Sequence, residues 1–216
     1  MDKLQQYYQQ RAKEYEAIYD KPERQDDLEV LYISLQELVS NANVLEIACG
    51  TGYWTKTMAK TCHSIQAIDY STSVLEIAQA KEYGNTQVNF QQEDFWKLQA
   101  PKIKKDVVFG GFIWSHIPNE KLIDFLQLLR QQIKEGGKLL FIDNQYVAGS
   151  STPISRTDKH GNTYQTRRLA NGKEFEVLKN FPNSREVYEL IRKMKLVVEW
   201  IDYKYFWIGT IKESKL

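Results

Sequence analysis

The chain has 216 residues, a length that suits one sizeable domain and would make two domains cramped. Hydrophobic residues make up 42% and charged residues 26%, as in ordinary soluble globular proteins, and the net charge of +1 gives no basic surface for nucleic acid. Cys49 and Cys62 stand alone with no histidine cluster beside them, so we expect no disulfide framework, no metal and a cytoplasmic location.

The N-terminal segment is polar and rich in tyrosine. Tyr8, Arg11, Tyr15 and Tyr19 recur at three- and four-residue spacing, which predicts a helix with these side chains on one face. No apolar run approaches the roughly 18 residues of a membrane span, and the first residues lack the apolar core of a signal peptide. We therefore expect a helical lid over residues 1–40, and no leader or membrane anchor.

From residue 44 onward, β-type runs alternate with helical patterns, an order typical of a parallel sheet covered by helices. The predicted strands are 44–48, 64–69, 87–91, 106–112 and 138–142, followed by a final strand pair within 197–212. The predicted helices are 53–61, 74–83, 120–133 and 184–194. Gly136 and Gly137 are expected to stop the helix at 120–133.

Residues 147–182 form a predicted insertion within a single domain of residues 1–216. Its first part, 147–160, is rich in Ser, Thr and Gly and predicts a loop. Two β-type runs follow and predict a hairpin, closed by Gly172 in a left-handed conformation, in which Arg167 opposes Phe175. One face of the hairpin then carries alternate residues: Gln165, Arg167, Lys173, Phe175, Val177 and Lys179.

The cations on this face suggest a binding role for the insertion. Arg167 and Lys179 alternate with apolar side chains, a mixture that predicts the inner face of a lid aimed at an anion. The alternative is that both cations pair with Glu174 or Glu176 of the hairpin itself, which a changed register would allow.

Two glycines break the chain after the first predicted strand, in Glu46-Ile-Ala48-Cys-Gly50-Thr-Gly52. A phosphate-binding loop would need a lysine after its glycines, and a dinucleotide loop would need a third glycine for close helix–strand packing. The sequence has neither, and Tyr53 and Trp54 would crowd a pyrophosphate. The glycine pair alone is therefore weak support for either ligand.

Three acids at successive strands narrow the choice. Glu46 lies in an apolar run, where a buried carboxylate needs a cation or hydrogen-bond donors. Asp69 ends the second strand, in position for a ribose diol, and Asp94-Phe95 follows the third, with an acceptor and a ring for adenine. Singly, each acid could be a strand, turn or capping residue. Together they fit a cationic ligand with ribose and adenine but no phosphate, which describes S-adenosylmethionine.

In these residues the chain resembles the class I S-adenosylmethionine-dependent methyltransferases, whose first motif is acid-x-Gly-x-Gly-x-Gly, with Ala48 replacing the first glycine. The resemblance implies an α/β, Rossmann-like fold: a seven-stranded, mostly parallel sheet with a C-terminal antiparallel pair, helices on both faces and the hairpin insertion. It implies a lid that folds over the cofactor, and no metal. The implied cofactor contacts are Tyr8, Arg11, Tyr15, Glu46, Ala48, Gly50, Gly52, Trp54, Asp69, Tyr70, Asp94, Phe95 and Gly111.

The substrate is indicated by His116 and the hairpin. His116 follows the fourth strand, where it can remove a proton or orient an acceptor oxygen, unless it is a structural loop histidine. The pattern Arg-x-Leu-x-Asn-Gly-x-x-Phe-x-Val-x-Lys is similar to small-molecule O-methyltransferases that esterify phosphonates, where the Arg and Lys grip the acidic head group. The predicted substrate contacts are Tyr19, Trp114, His116, Arg167 and Lys179.

The favoured function is O-methylation of a small anionic acid, a phosphonate or a carboxylate, with no nucleic-acid or membrane partner. A second hypothesis is N- or C-methylation of a neutral or cationic metabolite, with His116 as the base and aromatic side chains around an amine. A third is a non-catalytic protein that binds S-adenosylmethionine. The sequence leaves the oligomeric state open.

Overall fold

The structure, a computed structural model, describes residue 16 and residues 18–169 and 171–214. The helices are α1 (Gln25–Leu38), α2 (Tyr53–Met58), α3 (Thr72–Gln79), α4 (Leu122–Arg130) and α5 (Ser184–Lys193). The strands are β1 (Asn43–Ile47), β2 (Ser64–Asp69), β3 (Gln87–Gln92), β4 (Lys105–Gly111), β5 (Ile133–Asn144), β6 (Arg156–Thr157), β7 (Thr163–Arg168), β8 (Glu174–Leu178), β9 (Leu196–Asp202) and β10 (Phe206–Glu213). In the described ranges, no helix is long and apolar enough to cross a lipid bilayer.

The main sheet has the order β3-β2-β1-β4-β5-β10-β9. Its first five strands are parallel, and β10 runs antiparallel to both β5 and β9. This confirms the predicted mostly parallel sheet with its C-terminal antiparallel pair. Because the chain leaves β1 toward β2 and later returns to β4 on its other side, the strand order reverses at β1, where sheets of this type bind ligands.

Two apolar layers cover the two faces of this sheet, as predicted. One contains Leu28, Leu31 and Leu35 of α1, together with side chains of α2. The other contains side chains of α4 and α5. The inward side chains of α1 are fully buried, so residues 25–38 form part of the core, and a lid could be formed only by the segment before them.

The predicted end of the helix before the fifth strand is wrong. The helix expected at 120–133 ends at Arg130, and β5 begins at Ile133, before the two glycines. Gly136 and Gly137 instead lie inside β5, where the pairing with β4 slips from Lys105–Ile133 to Val107–Lys138. Gly136 has a φ of 72°, and a Cβ on Gly137 would lie 2.9 Å from the carbonyl oxygen of Asp106, so these glycines form a bulge and not a helix stop.

The insertion is a three-stranded antiparallel sheet, β6-β7-β8. Arg167 pairs with Phe175, which confirms the predicted hairpin register, and Gly172 has a φ of 82°. The sequence did not predict β6, a two-residue strand within the segment expected to be a loop. Its Arg156 forms an exposed ion pair with Glu176 of β8.

Candidate active site

The loop between β1 and α2 turns through three left-handed residues: Ala48, Gly50 and Gly52, with φ values of 50°, 57° and 79°. Ala48 therefore adopts this conformation without being glycine, at a cost of roughly 1–2 kcal/mol. Gly52 cannot be replaced by alanine in the same way, because a Cβ there would lie 2.4 Å from the Tyr83 hydroxyl and 3.1 Å from Ala78. The tight loop brings backbone N–H groups to the end of β1.

Glu46 lies buried on β1, on the sheet face covered by α2. Its Oε2 accepts a hydrogen bond of 2.5 Å from the Thr55 hydroxyl. Among the described residues no basic side chain forms an ion pair with it, and burial raises the pKa of Glu46 to about 8. A buried acid in this state would be stabilised by a cationic ligand.

Asp69 links the glycine loop to the end of β2. Its Oδ2 accepts a hydrogen bond of 2.9 Å from the Gly50 N–H, and its Oδ1 accepts one of 2.9 Å from the Ser71 N–H. Burial raises the pKa of Asp69, although these backbone bonds oppose the shift. Tyr70 beside it is exposed. The structure thus gives Asp69 a role in holding the loop, and its contact with a ribose stays a prediction.

The Asp94-Phe95 pair lies at the start of a short 3-10 turn after β3. Asp94 accepts a hydrogen bond of 3.1 Å from the Trp96 N–H and caps this turn. The ring of Phe95 packs edge-on against Phe125 of α4, with centroids 5.7 Å apart. Capping and packing explain both residues structurally, and their contact with adenine stays a prediction.

An aromatic cluster connects the glycine loop to the end of β4. The ring of Tyr19 stacks on Tyr53 with centroids 3.6 Å apart, and its hydroxyl accepts a hydrogen bond of 3.2 Å from Trp54 Nε1. Phe112 lies 5.6 Å from Tyr19. A Cβ on Gly111 would meet Trp54 at 2.7 Å, so only glycine permits this packing. Tyr8, Arg11 and Tyr15 lie outside the described residues.

His116 ends a 3-10 turn that follows β4. Its Nδ1 is 2.6 Å from the Leu178 carbonyl oxygen, so Nδ1 carries the proton and donates it. In the neutral ring Nε2 is then the basic nitrogen. Burial, reinforced by the charge of Lys179, lowers the pKa of His116 to about 3. His116 is therefore neutral near pH 7.

Lys179 lies at the end of β8 and is buried against the sheet. Its Nζ is 2.9 Å from Asp143 Oδ1 and 2.6 Å from the Ser115 hydroxyl oxygen. Asp143 Oδ2 also accepts a hydrogen bond of 2.9 Å from the Ser115 N–H. Lys179 thus pairs with an acid of the main sheet, and the alternative pairing within the hairpin does not occur for it.

The sequence reasoning missed Asp143, although a signal was present. Asp143 follows the apolar run Leu139–Ile142, just as Glu46 stands in an apolar run on β1. Burial would raise the pKa of this carboxyl, but the charge of Lys179 and the Ser115 N–H bond outweigh burial and keep the pKa below its ordinary value. The acid is therefore an ionised partner for Lys179.

Arg167 on β7 is oriented by its neighbour on the same face. Its Nε and Nη2 donate hydrogen bonds of 3.2 and 2.8 Å to Gln165 Oε1, and Gln165 is itself anchored to the Thr152 carbonyl oxygen at 2.6 Å. Burial is the main cause of the lowered pKa values of His116 and Lys179, and the charge of Arg167 adds to both shifts. Arg167, Lys179 and His116 therefore lie within electrostatic range of one another.

Trp114 does not join this group. Its side chain is buried in the layer formed by α4 and α5, edge-on to Phe141 and Trp207 with centroids 5.1 and 5.8 Å away. This packing accounts for Trp114 without a substrate. By contrast, the Phe112 ring lies 5.8 Å from Lys179 Nζ and also packs near Tyr19, so it connects the glycine-loop side with the cation side.

Two buried asparagines, which we call the polar clasp, fix the insertion to the segment after β4. The Asn180 N–H donates to the Ser115 carbonyl oxygen at 2.8 Å, and Asn180 Nδ2 donates to Ile117 at 3.0 Å. Asn162 Oδ1 accepts a hydrogen bond of 2.7 Å from the Asn119 N–H. The clasp therefore sets β7 and β8, with their cations, against the turn that carries His116.

Comparison with known proteins supports this picture. Residues 44–137 match the model of a methyltransferase domain family. The chain is 26% identical over 117 residues to a demethylmenaquinone methyltransferase of Bacillus licheniformis, covering 51% of this chain and 48% of that protein. It is 33% identical over 105 residues to a malonyl-[acyl-carrier protein] O-methyltransferase of Halalkalibacterium halodurans, covering 45% and 37%. The chain spans about half the length of the first of these relatives.

The fold matches a solved structure over nearly its whole length. The protein DhpI in complex with S-adenosylhomocysteine superposes with a TM-score of 0.80 at 24% identity, covering 99% of this chain and 97% of that one. A DhpI complex with SAM and HEP superposes with a TM-score of 0.79 at 24% identity, covering 97% and 96%. At this level of identity the match establishes the fold.

Proposed function

We propose that the chain carries a class I, S-adenosylmethionine-dependent methyltransferase domain, and that it transfers a methyl group to an ionised oxygen of a small acid, a phosphonate or a carboxylate. The observation that supports the acid most directly is the convergence of Arg167 and Lys179 on a neutral His116. Two cations around a histidine that is poor at accepting protons suit an acceptor that is already negatively charged.

The residues around β1 and β2 fit the cofactor. Glu46 has no cationic partner among the described residues, and its raised pKa marks a place where an ammonium group would be stabilised. We assign Glu46 and the glycine loop to the methionine end, Asp69 to the ribose and Asp94-Phe95 to the adenine. When bound, S-adenosylmethionine supplies a methyl group on a sulfonium sulfur, and this sulfur is the leaving group of an in-line displacement.

The segment before α1 is proposed to close over the cofactor. Glu16 accepts a hydrogen bond of 2.6 Å from the Thr51 hydroxyl in the glycine loop and forms an ion pair with Lys81 after α3. Tyr19 stacks on Tyr53, at the start of α2. These contacts lay the end of the segment across the loop, which would exclude water from the reaction.

The chemistry asked of this chain is mainly positioning. An acid oxygen is ionised near pH 7, so no general base has to remove a proton before the displacement. Arg167 and Lys179 would orient the acid, and His116 Nε2 would contribute a fixed polar contact, since the bond from Nδ1 to Leu178 holds the ring. With a pKa of about 3, His116 is poorly matched to deprotonate an alcohol or an amine.

The proposal is tested by transfer of a labelled methyl group from S-adenosylmethionine to small acceptors matched in size: an alkylphosphonate, a carboxylate, an alcohol and an amine. We expect label in the phosphonate or carboxylate as a methyl ester, identified by mass spectrometry of the product. Label recovered only in the amine or on carbon would support the rival hypothesis. Cofactor binding with no transfer to any acceptor would favour a non-catalytic binding protein.

Glu46 gives the cofactor site a characteristic pH dependence. Because its pKa is raised from 4.5 to about 8, its stabilising contribution is complete below pH 4.5 and is lost as the pH rises through about 8. In the absence of cofactor and at alkaline pH, we expect Glu46→Gln to melt at a higher temperature than the wild type. The corresponding gain in the free energy of unfolding is a few kcal/mol at most. Thermal melts over a pH series measure this.

The matched control for that series is Glu174→Gln, which removes an exposed carboxylate of β8. It should leave the pH dependence unchanged. Glu46→Gln should also weaken S-adenosylhomocysteine binding, so that the variant is more stable when empty and less stabilised by ligand. A wild type and Glu46→Gln pair with parallel melting curves across the pH range would contradict the assignment of Glu46.

A further inference from the structure

Gln165 lies buried on the inner face of the hairpin, opposite Val177 of β8, and is 1% exposed. A buried amide needs partners for both its oxygen and its nitrogen. The oxygen accepts two hydrogen bonds from Arg167, of 3.2 Å from Nε and 2.8 Å from Nη2. The nitrogen donates one hydrogen bond of 2.6 Å to the Thr152 carbonyl oxygen. Gln165 thus joins Arg167 to the segment between β5 and β6.

These partners determine which way round the amide lies. A reversed amide would place its NH2 group against the donors of Arg167 and its oxygen against the Thr152 carbonyl oxygen. The two bonds from Arg167 occupy both lone pairs of the Gln165 oxygen. An ionised acid only accepts hydrogen bonds, so it cannot bond to this oxygen. The oxygen of Gln165 therefore serves Arg167 and not the acceptor.

The fork of two N–H groups on one oxygen restrains the arginine side chain. A free arginine populates many rotamers, and fixing one of them on binding costs conformational entropy. Because Gln165 is itself tied to Thr152, the guanidinium of Arg167 is already restrained before an acceptor arrives. Arg167 has a further interaction besides these two bonds, so the contribution of Gln165 has to be measured in its presence.

We propose that Gln165 is a positioning residue of the acceptor site, which we define as Arg167, Lys179 and His116. Gln165 holds the guanidinium of Arg167 in place for the acid and, as a neutral amide, adds no negative charge beside that acid. This inference rests on the proposed function and deepens it. A glutamate could accept the same bonds from Arg167, but its charge would repel an anionic acceptor and its second oxygen would face the Thr152 carbonyl.

The test uses the full chain saturated with S-adenosylhomocysteine and two probes, ethylphosphonate and propionate, titrated by calorimetry up to millimolar concentration. The probe that the wild type binds more tightly is used for the variants. Gln165→Met keeps the length of the side chain without its polar atoms, and should raise the dissociation constant of the probe by about tenfold. The dissociation constant of S-adenosylhomocysteine should stay within about twofold of the wild-type value, because the cofactor residues are separate.

A double-mutant cycle separates positioning from a merely structural role. In an Arg167→Ala background, adding Gln165→Met should change the affinity for the probe by less than about twofold, because no guanidinium is left to position. If Gln165 only supported the hairpin, or contacted the acid through its nitrogen, the tenfold loss would persist in this background. Gln165→Asn, whose amide is a methylene shorter, replaces Gln165→Met if that variant does not fold, and should show the same pattern.

A second comparison tests the neutrality of the amide. Gln165→Glu should bind the probe about tenfold more weakly than Gln165→Met, because it adds a buried negative charge beside the acid. The matched control is Thr166→Glu, which adds the same charge at the adjacent position on the exposed face of β7. Its affinity for the probe should stay within about twofold of the wild-type value, since water and salt screen an exposed charge.

The outcomes distinguish this inference from the proposed function. A loss of affinity in Gln165→Met that disappears in the Arg167→Ala background supports positioning. Wild-type affinity in Gln165→Met, or an equal loss in both backgrounds, overturns positioning and leaves the acid acceptor intact. Equal affinities in Gln165→Glu and Gln165→Met overturn the part assigned to neutrality. If neither probe binds the wild type, the acid acceptor itself is refuted, and the role of Gln165 with it.

Discussion

Lys179→Met should lower the free energy of unfolding by about 3–5 kcal/mol, the cost of leaving a buried charge without its partner. The reason is that Asp143 is 0% exposed and would keep its charge, with the hydrogen bonds from Ser115 and Asn144 as its remaining partners among the described residues. Urea unfolding of the cofactor-free chain measures this effect. Adding Asp143→Asn to the same chain should recover most of the loss, because a neutral pair needs no compensation.

The control is Arg156→Met, which breaks the ion pair with Glu176 on the same insertion. Those side chains are 45% and 44% exposed, so water screens the pair, and the expected loss is within about 1 kcal/mol. Similar losses in Arg156→Met and Lys179→Met would show that Lys179 acts as a surface residue, and would contradict the buried pair.

Arg167→Ala should raise KM for the acid by about 10- to 150-fold, because a hydrogen bond to a charged group contributes about 1.5–3 kcal/mol. The turnover number should change less, since the reacting oxygen of the proposed acid acceptor is already ionised. His116→Ala should cost less than the about 100-fold typical of a lost general base, and kcat/KM should not rise with an ionisation between pH 6 and 8, since the pKa of His116 is about 3. Steady-state kinetics over a pH series measure all three quantities.

Arg168→Ala is the matched control, because it removes the same side chain from the adjacent position, which points to the exposed face of β7. Its KM should match that of the wild type. The opposite pattern would be a large loss of turnover in His116→Ala, a pH profile rising near 6.5, and a normal KM in Arg167→Ala. That pattern would identify an alcohol or amine as the acceptor and His116 as its base.

The sheet could be predicted because its signals are local. The central strands β1 and β4 contain short apolar runs, and the glycine loop and the acids at the ends of β1, β2 and β3 mark one edge of the sheet. The hairpin register followed from the turn at Gly172 and from the alternation of Arg167 with Phe175. The prediction that Gly136 ends a helix was wrong because glycine occurs in β-bulges as well as at helix ends. Only the pairing of β5 with β4 distinguishes the two.

The cation site was only partly predictable, because its partners are distant in sequence. Periodicity placed Lys179 on the inner face of the hairpin, but Asp143 lies 36 residues earlier, and nothing local joins them. His116 could be located after β4, yet its neutrality depends on burial and on contact with Leu178, 62 residues later. The sequence can therefore suggest which residues belong to the site, but tertiary packing determines their charges.

The polar clasp divides the insertion into a fixed end and an exposed tip. Asn162 and Asn180 hold the roots of β7 and β8 to the turn after β4, whereas residues 171–173 at the tip of the hairpin are exposed. Changes in length or composition at the tip should thus leave unchanged the ends of β7 and β8 that align Lys179 with His116. Substitutions within residues 171–173 should therefore leave Lys179 and His116 in register, because Asn162 and Asn180 hold the opposite end of the hairpin.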